Sequence, residues 1–317
     1  MRKEPGGSKR ADPCILAMGA RMVLRGYLVA LLIAIIWGIN FVIIKSGVSD
    51  VPPLMFAALR FLAVIFPAIF FLKPPKAAMW TVAAYGIAVA IMQFGFVFSA
   101  ISLGMPAGLT SLIVQSQMFF TIFLAWLVMG ERPGLQQLIG GCIAFAGIIV
   151  IASQRQSGGG GLLPFILVVC GAASWGLANV IGKLAGRVDM LAFTVWSSLI
   201  APLPLLALSW LFEGAGAYEA VLAAGLSFWL AVAYLAYLGT MLGYTLWSHL
   251  LSQHKAAEVA PFSLLVPVFG LTSAQFVYAE QTSMVEWMGA GLVLAGLSWT
   301  IFGPNLWRAA RRTQSPV

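Results

Sequence analysis

Charge is what this 317-residue chain has least of: Asp, Glu, Lys and Arg together make up 9% of it, and histidine occurs twice. Soluble domains carry roughly a quarter charged residues, so the polar surface needed to coat a water-soluble globule is missing. Cysteine is scarce as well. Cys14, Cys142 and Cys170 are odd in number, and the last two lie in apolar stretches, which argues against a disulfide framework. No HExxH pair, intramembrane Asp pair, Cys/His cluster or Gly-rich loop followed by Lys is present, so the chain is expected to be no enzyme and to hold no metal or cofactor. All ten acidic residues fall at tails, loops or helix ends, leaving no mid-bilayer carboxylate to hold an organic cation.

What the chain does have is apolar length: 61% of residues are hydrophobic and the mean hydropathy is +0.96. Ten runs of span length, near 27–45, 54–72, 79–101, 107–129, 135–152, 162–183, 190–212, 226–248, 257–278 and 285–302, point to an all-α integral membrane protein of ten transmembrane helices. They divide the chain into a tail (1–26), a five-helix repeat (27–152), a Gly-rich linker (153–161), a second five-helix repeat (162–303) and a basic tail (304–317). The apolar run after Arg25 is a full span without a small-residue cleavage site, hence a retained helix, with Met1, Met18 and Met22 as alternative starts.

Positive residues follow a bias. With both termini cytoplasmic, the inner side collects Arg2, Lys3, Lys9, Arg10, Arg21, Arg25, Lys73, Lys76, Arg132, Lys183, Arg187, Lys255, Arg308, Arg311 and Arg312; the outer side keeps Lys45 and Arg155. The net charge of +8 is thus spread between apolar runs, which fits a lipid bilayer and not nucleic acid.

The halves repeat each other. Trp37-Gly38 and Lys45 recur 138 residues on as Trp175-Gly176 and Lys183; Glu131, Gly140 and Ala146-Gly147 recur 149 residues on as Glu280, Gly289 and Ala295-Gly296. Five helices per repeat force the halves into opposite orientations, the inverted-repeat plan of secondary transporters, with the substrate site expected near the midplane between them.

The run WGINFVIIK (37–45), Pro52-Pro53-Leu54-Met55 leading to Arg60-Phe61, MPAGLTSLIVQSQMFFT (105–121), the Gly130-Glu131-Arg132 turn and APFSLLVPV (260–268) resemble the EamA branch of the drug/metabolite transporter superfamily. The resemblance runs from about Met22 to Trp307. It implies a multi-pass bacterial inner-membrane exporter of small amino-acid-type metabolites, of the O-acetylserine and cysteine kind, working by alternating access. Export of another neutral or zwitterionic metabolite, or passage through a polar-lined channel, stays open, as does a monomer or a homodimer.

Candidate pathway residues follow from the cost of polar groups in lipid. Arg60, about 10 Å into the second span, either attracts a substrate carboxylate or snorkels to the outer headgroups. Trp37, Asn40, Phe41, Ile44 and Lys45 fall within about 140° of one another on the first helix. Trp175, Asn179 and Lys183 share a face of the sixth. Lys45 and Lys183, at pseudo-symmetric ends, are candidate gates of opposite mouths or interface anchors. Gln93 and Gln115 add amides, Gln115 being preferred to Gln117 because Ser111 precedes it by one turn. Tyr237 and Tyr244 are expected on one face at seven residues' spacing. Pro261 and Pro267 are candidate hinges in the ninth helix. Glu131 and Glu280 are expected as surface turn caps that need no partner.

Overall fold

The computed structural model describes residues 24–157, 161–186, 188–254 and 256–313. The tail with its alternative starts, Cys14, Gly158 to Gly160 of the linker, Arg187, Lys255 and the last four residues lie outside these. The described residues are mostly helical, with no strand among them. Among the described residues, nine helices are long and apolar enough to cross a membrane: Leu24–Asp50, Pro53–Phe70, Met79–Ser102, Ala107–Met129, Leu135–Gln154, Leu163–Leu184, Leu226–Gln253, Ala260–Tyr278 and Met284–Gly303. The seventh span is a bent pair, Met190–Ser198 and Pro202–Phe212, turned by 41°, which brings the total to ten. Ten crossings put both ends of the bundle's chain on one side. The opposite end, which carries Lys45 and Glu280, is called outer below, following the charge bias.

Local chemistry sets the boundaries. Proline stands in the first turn of the second span, the sixth span and the second piece of the seventh, where no N–H is lost. Spans four and nine both end in a left-handed residue followed by glutamate: Gly130 at φ 70° before Glu131, and Ala279 at φ 49° before Glu280. Asp189 caps the seventh span by accepting from the Leu191 and Ala192 N–H groups.

The inverted repeat is visible in how glycines let helices meet. A Cβ on Gly38 would lie 2.5 Å from Phe269 Cβ, and one on Gly176 would lie 2.6 Å from Phe120 Cβ, the same contact 138 and 149 residues apart. Spans five and ten cross equally closely. A Cβ on Gly147 would sit 2.5 Å from the Gly289 carbonyl oxygen, and one on Gly296 would meet the Gly140 carbonyl. Without a hydrophobic drive between helices in lipid, such small-residue seams carry the association. Phe56 stacks on Phe98 and on Phe228, each at 5.0 Å between ring centroids, locking spans two, three and eight.

Spans three, seven and eight depart from the regular α-helix. Ile87–Gln93 in the third and Tyr234–Leu242 in the eighth are π-helical, and the seventh breaks after Ser198. The ninth span starts with a 3₁₀ segment, Ala260–Leu264, before its α-helical part, Leu265–Tyr278. Pro261 and Pro267 therefore fall in the opening turns of two successive segments, so neither removes a bond from a helix interior.

Candidate functional site

Arg60 is buried at 2% exposure and turns into the bundle, so it does not snorkel. Its Nη2 donates to Thr240 Oγ1 at 2.7 Å in the π-segment of span eight, and its guanidinium lies 3.7 Å from the centroid of the Phe94 ring and 4.8 Å from that of Phe61. Nε and Nη1 have no hydrogen-bond partner, and no carboxylate pairs with Arg60 among the described residues. A desolvated charge without a counter-ion is expensive. The ring faces offset part of this cost through their negative quadrupoles.

The space beside the guanidinium is a small cavity of about 10 Å³, room for roughly one water. Arg60, Tyr85, Phe94, Thr194, Ser197, Thr240 and Tyr244 line it. Thr194 Oγ1 and Ser197 Oγ, both from the first piece of span seven, are buried there with no partner of their own. The cavity also touches Gly86, Val89 and Ala90 where the third span turns π-helical, and Ser198 where the seventh breaks. Irregular backbone at membrane depth is tolerated where protein or a cavity covers it, and π-segments recur at functional sites. Two unpaired N–H donors of Arg60 and the unpaired hydroxyls of Thr194 and Ser197 thus belong to residues that line one small void; donors of this kind suit an anionic group such as a carboxylate.

The other candidates are distributed around this centre. Trp37 Nε1 donates to the Gly239 carbonyl at 2.9 Å and its ring packs 5.7 Å from that of Tyr244. The Asn40 amide lies against Gly239, where a Cβ would come within 2.7 Å of its Oδ1, which has no partner. Gly38, Phe41 and Lys45 instead look to span nine, so the face of the first helix divides between two neighbours. Gln93 is buried with Oε1 unpaired at the end of the third span's π-segment. Gln115 Nε2 donates to the Ser263 carbonyl at 2.8 Å, tying span four, at the break between its pieces Ala107–Val114 and Gln117–Met129, to the 3₁₀ start of span nine. Asn179 Nδ2 donates to Gln117 Oε1 at 2.6 Å and to Thr121 Oγ1 at 3.0 Å. Trp175 packs against the main core.

Two expectations need correction. Tyr237 and Tyr244 do not share a face: Tyr244 lines the Arg60 cavity, while Tyr237 is 41% exposed in an outward groove with Ile43 and Ser46, donating to the Phe66 carbonyl at 3.2 Å. The π-segment between them carries more than 3.6 residues per turn, which cancels the heptad spacing. Nor are the two glutamates without partners. Lys45 Nζ donates to Glu280 Oε1 at 2.6 Å, and Lys183 pairs with Glu131. Thr194 and Ser197 were invisible in the sequence, because single hydroxyls on apolar helices carry no periodic signal, and only the break after Ser198 in the folded span sets them apart.

The sequence pattern of the EamA-like transporter family matches this chain twice, over residues 24–153 and 162–302. A Salmonella typhimurium protein named "Probable amino-acid metabolite efflux pump" is 41% identical over 288 residues, 89% of this chain and 96% of that one. Its Escherichia coli K12 namesake is 38% identical over 292 residues, 90% and 97% of the two chains. The "Uncharacterized inner membrane transporter YedA" of Escherichia coli K12 is 28% identical over 87% of this chain and 90% of its own. A crystal structure 19% identical in sequence superimposes with a TM-score of 0.61 over 92% of this chain and 99% of its own, a likeness of fold.

Proposed function

This chain belongs to the EamA-like transporter family, and from that premise we propose that it exports small amino-acid-type metabolites, of the O-acetylserine and cysteine class, across the bacterial inner membrane by alternating access. The observation that carries the reading is Arg60: a buried guanidinium with two unpaired donors, lining one small cavity together with Thr194 and Ser197, whose hydroxyls are also unpaired. A substrate carboxylate supplies the missing counter-ion and accepts from Nε, Nη1 and the hydroxyls. The substrate's ammonium and short side chain then meet aromatic faces and neutral amides. The names of the 41% and 38% identical relatives favour the same substrate class.

An open channel fits less well. The Arg60 cavity has room for about one water, and the outer end is tied by side chains, so passage requires the halves to move. Flux competition tests the substrate class. Efflux of labelled cysteine from proteoliposomes is expected to compete with O-acetylserine and with 3-mercaptopropionate, which keeps the carboxylate, and hardly with cysteamine, which lacks it. Equal competition by cysteamine would remove Arg60 as the anchor.

A further inference from the structure

Glu280 follows the ninth span and ties three spans together at the outer end. Its Oε1 accepts from Lys45 Nζ of span one and from the Ala107 N–H of span four at 2.9 Å; its Oε2 accepts from the Gly108 N–H at 3.1 Å. The carboxylate therefore caps the start of span four, where the helix dipole favours negative charge. Lys45 is further held 4.5 Å above the Tyr278 ring. The tie is sheltered, the Lys45 and Glu280 side chains being 30% and 12% exposed. Beneath it the outer halves of spans four and nine are in close contact: a Cβ on Gly108 would sit 3.1 Å from Leu271 Cα, and Ser111 lies against Gly270. A second carboxylate fastens the same end. Glu213, after span seven, accepts from the Leu54 and Met55 N–H groups at the start of span two, at 2.6 and 3.1 Å.

The inner end holds the pseudo-symmetric partner of this tie. Glu131 follows span four as Glu280 follows span nine, each after a left-handed residue, and pairs with Lys183, the counterpart of Lys45. That pair is open, at 53% and 47% exposure. At the outer end the left-handed residue is alanine, at φ 49°; such a conformation costs on the order of 1 kcal/mol without glycine, which identifies the turn that aims Glu280 as held by its surroundings.

We propose that the two lysine–glutamate pairs are reciprocal latches of the two mouths. Glu280 with Lys45 clamps the outer mouth in the conformation seen here; when the inner mouth shuts, Glu131 and Lys183 become sheltered against the inner start of span nine and Glu280 releases span four. The proposal rests on the alternating-access reading. Glu131 and Glu280 act through the helices they hold, as positioning residues, and touch no substrate.

Labelling tests this without any substrate. With all three native cysteines replaced by serine, Ser111→Cys places a thiol in the outer seam, and a membrane-impermeant maleimide added outside reports its opening. The parent is expected to label slowly and Glu280→Gln at least about tenfold faster, the loss of charge-assisted bonds to three donors. The exchange Lys45→Glu with Glu280→Lys also labels fast, because an ammonium cannot accept from the Ala107 and Gly108 N–H groups. Glu131→Gln, at a half-exposed site, labels at or below the parental rate. Parental labelling in Glu280→Gln, restoration by the charge exchange, or acceleration by Glu131→Gln each overturns the latch. Absence of cysteine flux in the wild type counts against the exporter reading and leaves the labelling result standing.

Discussion

Arg60 was legible as a candidate from one fact, an ionisable side chain inside an apolar run, and the structure removes snorkelling from its two readings by burying it against Phe94. Its partners were not legible. Thr240 meets it only through the π-segment, and Thr194 and Ser197 only through the break in span seven. Hydrogen bonds to charged groups contribute about 1.5–3 kcal/mol. Arg60→Ala is therefore expected to raise the half-saturating substrate concentration by roughly 10- to 100-fold. Arg60→Lys falls between, because an ammonium does not reproduce the planar fork. Ser197→Ala and Thr194→Val, which keep shape and remove one unpaired hydroxyl each, are expected to weaken transport several-fold while leaving thermal stability unchanged; a matching loss of stability would assign both hydroxyls to packing.

Regular spans are legible in a sequence because hydropathy and length determine them, whereas departures from regularity depend on what a helix packs against. That is why the ten runs and the repeat offsets match the observed spans, while the π-segments of spans three and eight and the displacement of Tyr237 from Tyr244 appear only in three dimensions. Close helix approaches follow the same logic. Gly239 admits the Asn40 amide, and Gly239→Val is expected to push span one from span eight and abolish flux even in protein that still inserts. At the crossing of spans five and ten, Gly147→Val places branched carbons against the Gly289 carbonyl; overpacking of this kind costs about 1–3 kcal/mol. A lowered melting temperature in detergent, mirrored by Gly296→Val at the symmetric position, checks the seam.

For the whole molecule, the inverted repeat places equivalent lysine–glutamate pairs at the two ends, and the two pairs differ in exposure. The outer end is held by Glu280 and Glu213 reaching across to the starts of spans four and two, while the inner pair Lys183 and Glu131 stands half exposed. The offsets that revealed the repeat also marked both lysines and both glutamates, yet their pairing was hidden, since each lysine meets the glutamate of the opposite repeat's landmark set only after folding: Lys45 with Glu280 across 235 residues, for example. The central claim is that a buried arginine at the interface of the halves carries a substrate carboxylate outward. It is tested most directly by release of labelled cysteine and O-acetylserine from preloaded proteoliposomes, wild type against Arg60→Ala, with and without a pH gradient. Saturable release that Arg60→Ala loses at low substrate and regains at high substrate is the predicted result. No saturable wild-type release under any gradient, or release untouched by the substitution, would contradict it.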